Sequence, residues 1–521
     1  MFKMNKIKYL IVIVVSLLLI NTSCEDFLEE EPIDAISVGY IYSTPEGLKV
    51  GVNALYNLMR IHNVSPEWSD DLKTNAFFMV GTDLGLVRTW FRPYQVSSMT
   101  PSSFNGQKWT GSYQIIDRCN AIIVNAQKVE MDAEKRNQIL AEAKVIRGEL
   151  YLDLVRMYQH ILLDTTATTP ENYQDSVTYE SANTADVWEL INSDLDFAIE
   201  HLDWAVEAGR YGQGAARHIR GKAAMWQRDW TEAVAQFDAI VEDGTHHLLN
   251  SPSEVFVGER NHAEALFTYQ FDETLGGSSN LAGGAFHILP SFFTSRYYEM
   301  NSGEIINDPE YGGQSLGWAF PNDYLQSLYN KENDKRYTSY YMPEKLYVNN
   351  PDKENYGEPL PESSYDDNFR HYHFSLKKFF DADKAPYTDN SWVNVLYYRF
   401  AETLLLGAEA HWRADNQNPS NEKALEYINL IRTRAGLSEF SSFDLDTYLE
   451  ESARELAFEK NRWFLLKRMG LLVERQSMYY QYGSTSTNVV NEPMQPYMVN
   501  LPVPQSQIDL MGNPDMQADG Y

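Results

Sequence analysis

The sequence predicts a mainly α protein in which paired helices form a scaffold against a loop-rich half. Before about residue 244, and again after about residue 394, apolar residues recur at steps of three and four. Between them, from about Gly244 to Ser391, the periodicity fades into a stretch rich in Tyr, Asn and Asp. The composition supports folding throughout, because 43% hydrophobic and 22% charged residues over 521 positions is a globular balance. At ~150 residues per domain the length allows about three domains, or one large helical array.

The N-terminus sets the compartment. Lys3, Lys6 and Lys8 precede an apolar run from Tyr9 to Ile20, and Asn21-Thr22-Ser23 leads to Cys24. A basic start, a short apolar run and a small or polar exit describe a cleaved signal peptide over residues 1–23. The run is well short of the ~20 residues of a spanning helix. Cys24 stands where a bacterial lipoprotein signal places its lipidated cysteine, although Asn21 replaces the Leu usual three residues earlier. The alternative is a secreted protein with Cys24 paired to Cys119. Residues 24–38, opening Glu25-Asp26 and continuing Glu29-Glu30-Glu31-Pro32, read as an acidic, solvated tether. With Cys24 acylated, Cys119 is left as an inert core thiol.

The first helices follow in the region 39–245. Ile139, Ala143, Ile146, Leu150, Leu154, Met157 and Ile161 form one apolar stripe. Val187, Ile191, Leu195, Ala198 and Leu202 form the next, after a cap at Asn183-Thr184. A third unit pairs Ala215–Gln227 with Thr231–Val241 across Arg228-Asp229-Trp230. Gly221, Ala224, Ala233 and Phe237 fall in tetratricopeptide register, a small residue at the helix crossing and an Ala/aromatic pair on the second helix. Ala401–Arg413 and Asn421–Arg434 repeat the arrangement, with Ala424 and Ile428 in the matching places. The distance between the two units rules out a plain tandem solenoid, and a generic helical hairpin remains the alternative.

Catalytic patterns fail on context. Gly313-Gln314-Ser315-Leu316-Gly317 matches G-x-S-x-G but lacks the flanking strand and helix of a nucleophile elbow. His371 and His373 have no further ligand at metal spacing and read as surface histidines. Asp381, Asp383 and Asp389 lack the glycine and terminal Glu of a calcium loop. No phosphate-binding glycine loop is present. The sequence therefore calls for no catalytic residue, no cofactor and no catalytic metal. Its net charge of −30 argues against nucleic acid and against an anionic membrane surface, both of which need a basic face.

The stronger signal is aromatic: 11 Trp, 34 Tyr and 24 Phe, some of them in glycine-rich loops. Gly81 to Tyr94 carries Asp83, Arg88, Trp90 and Phe91, and Tyr311 to Asp323 carries Trp318 and Asn322. Flat rings stack on the C–H faces of sugars while Asp, Asn and Arg bind hydroxyls. The alternative is that these rings plug the loops onto the scaffold.

The last ~130 residues carry a resemblance. Arg399-Phe400-Ala401-Glu402 leads into Ala408-Glu409-Ala410 and then Ile428-Asn429-Leu430-Ile431-Arg432-Thr433-Arg434-Ala435-Gly436-Leu437. Arg454-Glu455-Leu456-Ala457-Phe458-Glu459-Lys460-Asn461-Arg462-Trp463-Phe464 and Lys467-Arg468 follow, and the chain closes with Leu501-Pro502-Val503-Pro504, Asn513-Pro514 and Gly520-Tyr521. In this order the series resembles the SusD/RagB family of outer-membrane nutrient-binding lipoproteins. Departures are Ser452 where Arg is usual, Lys460 where Gly is frequent, Leu465 where Asp is usual, and the altered close Gln517-Ala518-Asp519.

The resemblance implies the SusD-like fold, tetratricopeptide-type helix pairs packed against a loop-rich ligand-binding half. It places a SusD-like helical region at 39–245 and a RagB/SusD region at 246–521, with ligand loops at about 250–390 and further helices at 394–475. It implies a lipid-anchored protein on the outer face of the outer membrane, capping a TonB-dependent, SusC-like barrel and delivering an oligosaccharide to it. The positions that fit the family's aromatic arc are Trp90, Phe91, Tyr311 and Trp318, with Asp83, Arg88 and Asn322 as hydrogen-bonding partners. A peptide or other non-glycan importer is the competing cargo class. A surface hydrolase and a ligand-free scaffold stand further behind.

Overall fold

The computed structural model describes residues 42–64, 70–87, 99–104, 106–169, 171–275, 286–300, 303–365, 370–383, 387–480 and 494–521. The signal peptide, Cys24 and the acidic tether lie outside them. The N-terminal part consists of α1 (Pro45–Val64), α2 (Asp70–Val80), the short strand β1 (Gly85–Val87), α3 (Gln107–Ala126), α4 (Ala133–Met157), α5 (Thr184–His201), α6 (Gln213–Gln227) and α7 (Trp230–Asp243). The middle holds short pieces: β2 (Ala265–Tyr269), α8 (Leu289–Phe293), β3 (Ala319–Pro321), α9 (Asp323–Ser327) and α10 (Lys335–Tyr340). Strand β4 (Val395–Arg399) runs directly into α11 (Phe400–Ala414). Then come α12 (Glu422–Arg434), α13 (Leu445–Leu456), α14 (Asn461–Arg468), α15 (Leu472–Tyr479) and α16 (Gln505–Met511).

The expected helices form where local chemistry favours them. The Asn183 side chain accepts from Ala185 N to cap α5, and Asn421 accepts from Ala424 N to cap α12. The α4 stripe from Ile139 to Met157 is at most 8% exposed. The structure departs from the amphipathic expectation on the opposite face, since Glu142, Arg147, Glu149, Asp153 and Arg156 are buried too. These polar groups are compensated by partners: Arg147 pairs with Asp194 of α5 at 2.6 Å, and Arg156 pairs with Asp153. From Ile139 onward α4 is thus a central helix, buried around nearly its whole circumference.

The tetratricopeptide register corresponds to real crossings. A Cβ on Gly221 of α6 would lie 2.6 Å from the Phe237 ring of α7, and one on Gly407 of α11 would lie 2.9 Å from Tyr427 of α12. The two units are distant in sequence yet adjacent in space: α7 packs on α11, with Ala224, Ala233, Phe237 and Ala410 in one cluster. The helical layer is therefore continuous, and residues between α7 and β4 form an insertion into it. Cys119 of α3 is buried, and burial pushes its thiol pKa far up, as expected of an inert core residue.

The insertion is more than a set of loops. Tyr297, Met300, Ile305, Met342, Leu346, Val348, Leu360 and Phe380 make a satellite core of their own. His373, expected at the surface, is 4% exposed and lies 5.0 Å from the Phe320 ring. Ser315 is buried and donates its hydroxyl to Ser295 O at 2.6 Å. Gly312 needs to be glycine, because its φ is +95° and a Cβ would come within 2.9 Å of Phe380 and Thr294.

A buried ionic knot ties the insertion to the scaffold. Glu455 of α13 accepts from Arg399 of β4 (2.8 Å), Arg434 of α12 (2.5 Å) and Arg336 of α10 (3.2 Å). Glu264, just before β2, joins Arg399 (2.8 Å) and Arg434 (2.7 Å), and Glu459 joins Arg399 (2.6 Å) and Lys378 (2.6 Å). These are largely the charged residues that carried the family resemblance. β2 pairs antiparallel with β4 at the same seam.

Candidate functional site: the β1–β3 face

Strands β1 and β3 pair antiparallel, Gly85 with Pro321, Leu86 with Phe320 and Val87 with Ala319. This short ladder joins the two aromatic, glycine-rich segments that the sequence singles out, although more than two hundred residues separate them. Leu86, Phe320 and Tyr480, the C-cap of α15, form an apolar plug. Three parts of the chain meet here because each contributes one ring or aliphatic side chain to that plug.

Two expected ligand groups turn out to be framework. Asp83 is fully buried, its carboxylate held by Arg462 (2.8 and 2.7 Å) and Arg475 (2.7 Å). Burial alone would raise its pKa, and the two guanidiniums hold it below the usual carboxylate range. Asn322 is 1% exposed; its amide donates to Asp83 O (2.8 Å) and Tyr479 O (3.1 Å), and its oxygen caps α9 at Leu325 N (2.9 Å). Neither side chain has a polar atom left for a ligand, so both expectations are corrected. Asp83 and Asn322 instead fix the loop geometry.

The rings divide. Trp318 is half-buried at the edge of the main core, T-shaped against Phe292 at 5.7 Å. Tyr311 is also half-buried but belongs to the satellite core. It lies T-shaped to Tyr297 at 5.7 Å, with its hydroxyl near the Tyr347 backbone. Trp318 therefore sits with the β1–β3 ladder, and Tyr311 is anchored in a neighbouring cluster. Arg88, Trp90 and Phe91 lie outside the described residues.

The structure adds residues that the sequence reading did not single out. Tyr324 of α9 stacks on Tyr479 of α15 with centroids 3.7 Å apart, and Arg475 donates to Tyr324 Oη at 2.6 Å. The Arg475 guanidinium lies 5.0 Å from the Tyr479 ring centre. This half-buried Tyr–Tyr–Arg group flanks Asn322 and Asp83. Its sequence signal was the run Met478-Tyr479-Tyr480 at a helix end, which only the fold brings beside Asn322. Among the described residues no cluster of His, Cys, Asp and Glu is arranged to hold a metal ion.

The sequence profile described as the SusD family matches residues 259–521, half of the chain. The chain belongs to the SusD family. It is 22% identical to SusD-like protein P25 of Formosa agariphila, over 96% of both chains. It is 21% identical to a SusD-like protein of Bacteroides ovatus, over 87% of this chain and 81% of the other. In structure it is similar to a laminarin binding SusD-like protein, with a TM-score of 0.71 at 21% identity, covering 92% of this chain and 100% of that one. It is also similar to surface glycan-binding protein A from Bacteroides thetaiotaomicron in complex with laminarihexaose, with a TM-score of 0.70 at 19% identity over 90% and 98% of the two chains. The helix-rich fold described above is shared with these SusD-like proteins.

Proposed function

We propose that this SusD-family protein binds an oligo- or polysaccharide on its β1–β3 face, without catalysis, and delivers it to a TonB-dependent, SusC-like barrel. In this reading Cys24 carries the lipid that holds the protein on the outer face of the outer membrane, over the barrel. Trp318, Trp90 and Phe91 supply stacking surfaces, Tyr311 extends them, and Arg88 and Arg475 donate to hydroxyls. The observation that carries it is the β1–β3 ladder, whose buried strands join two segments rich in rings and glycine and leave Trp318 half-buried beside them. The similar structures of a laminarin binding SusD-like protein and of a surface glycan-binding protein in complex with laminarihexaose point the same way.

Calorimetric titration with a panel of neutral and acidic polysaccharides, run beside mixed peptides, tests the reading. Glycan binding is expected, and Trp318→Ala or Trp90→Ala should weaken it by about 2 kcal/mol, the loss typical of a central aromatic anchor. Peptide binding without any glycan response would transfer the protein to the peptide-importing class.

A further inference from the structure

Helix ends and turns meet at one edge of the helical layer and enclose a cleft of about 650 Å³. Trp226, Arg228 and Trp230 come from the end of α6 and its turn into α7. Arg413, Asn416 and Gln417 come from the end of α11 and its turn into α12. The cleft includes none of the residues assigned to the β1–β3 face. Its volume is that of a small-molecule site, about 300–1,000 Å³.

Its lining is basic where the molecule is acidic. On a chain of net charge −30, Arg228, Arg413, Lys467 and Arg468 line it and no carboxylate does, while buried Glu409 behind it balances Arg468. Arg468 is matched by Glu409 at 2.7 and 2.6 Å, and Lys467 donates to Arg156 O (2.6 Å) and Asn500 Oδ1 (3.0 Å). Burial, with Arg156 beside it, lowers the Lys467 pKa to about 7. Arg413 lies over the Trp230 ring at 5.9 Å, its Nε 3.6 Å from Glu409. Arg228 is exposed and makes no ion pair among the described residues. The neighbouring acids are occupied locally: Asp229 caps α7, and Asp415 accepts from Asn418 and Asn421.

The backbone adds an independent observation. Arg228, Asn416 and Gln417 have φ of +60°, +49° and +62°, three of the six non-glycine residues with positive φ among those described. Glycine is the favoured residue in that conformation at a helix end. Arg228 and Gln417 hold long polar side chains in that conformation at two points on the rim of the cleft.

We propose that this cleft binds an acidic saccharide. Trp226 and Trp230 stack on the sugar faces, Arg228 and Arg413 take the carboxylate or sulfate, and the Asn416 and Gln417 amides take hydroxyls. The site is additional to the β1–β3 face and holds whether or not that face binds glycan.

The test is calorimetry, with tryptophan fluorescence in parallel, on the full chain in detergent. The probes are an oligogalacturonate, a sulfated galacto-oligosaccharide, a neutral gluco-oligosaccharide and polyglutamate. One or both acidic sugars should bind, and which one binds identifies the anion. Arg228→Gly should weaken that binding at least about tenfold, the loss of a charge-assisted contact. Its melting temperature should hold or rise, because glycine suits the backbone there. Trp226→Ala should weaken binding similarly. Failure of both acidic sugars to bind, preference for polyglutamate over them, or undiminished binding in Arg228→Gly and Trp226→Ala would each overturn the proposal.

Discussion

Glu149 lies in the middle of α4, fully buried, with the hydroxyls of Tyr211 (2.5 Å) and Tyr398 (2.6 Å) donating to its two oxygens. Burial, and then the Asp153 carboxylate one turn away, push its pKa up to about 7 against the pull of the two phenols. Unfolded, the same group titrates near ~4.3. The folded state therefore holds the proton more tightly, and the stability contributed below ~4.3 is lost progressively as pH rises to about 7. Glu149→Gln should flatten that slope. Urea unfolding at mildly acidic and mildly alkaline pH should show the wild type losing stability relative to the variant, and parallel losses would count against this account. Lys460 illustrates the same scale. It occupies a left-handed position, φ +66°, where the family frequently has Gly, and its half-buried amine donates to Asn63 O and Asn75 Oδ1. A departure that looked arbitrary in sequence has a local function, tying α14 to α1 and α2.

At the scale of elements, the helix pairs depend on close approach. Phe237 is fully buried against Gly221, so a Cβ at 2.6 Å has no room without moving a packed ring. Gly221→Ala gains up to about 1 kcal/mol of helix propensity but should lose about 1–3 kcal/mol to overpacking. The expected result is a lower melting temperature, partly restored by adding Phe237→Leu; a more stable single variant would show that α6 and α7 can separate freely. Much of this level was legible beforehand. The cap at Asn183, the α6–α7 turn and the small-residue crossing were read from neighbours within one or two helical turns. The all-round burial of α4 was not, because its outer covering comes from residues as distant as Tyr398.

At the scale of the whole molecule, Glu455 is the joint. Burial would raise its pKa, yet Arg434, Arg399 and Arg336 hold it well below the carboxylate range. Its contribution is therefore present above ~4.3 and lost as pH falls through the depressed folded-state value. Glu455→Gln leaves three buried guanidiniums short of a carboxylate, which should cost about 3–5 kcal/mol at neutral pH. Denaturant melts would detect this, and the gap between variant and wild type should narrow in acid. A variant as stable as the wild type would mean that Glu264, Glu451 and Glu459 suffice.

The sequence by itself determined the helical scaffold, its pairing register, the loop-rich insertion and the charged series that marks the SusD family, since each of these is periodic or contiguous along the chain. The tertiary structure alone decided that α7 and α11 are neighbours, that the insertion has an aromatic core, and that His373 is buried. It also decided what Asp83 and Asn322 do. In sequence a short polar residue in a segment of rings and glycines looks like a ligand group, but its burial depends on partners such as Arg462, Arg475 and Tyr479, nearly four hundred residues from Asp83. Local pattern fixes which way a side chain faces along its own element. Only the assembled fold fixes what it meets there.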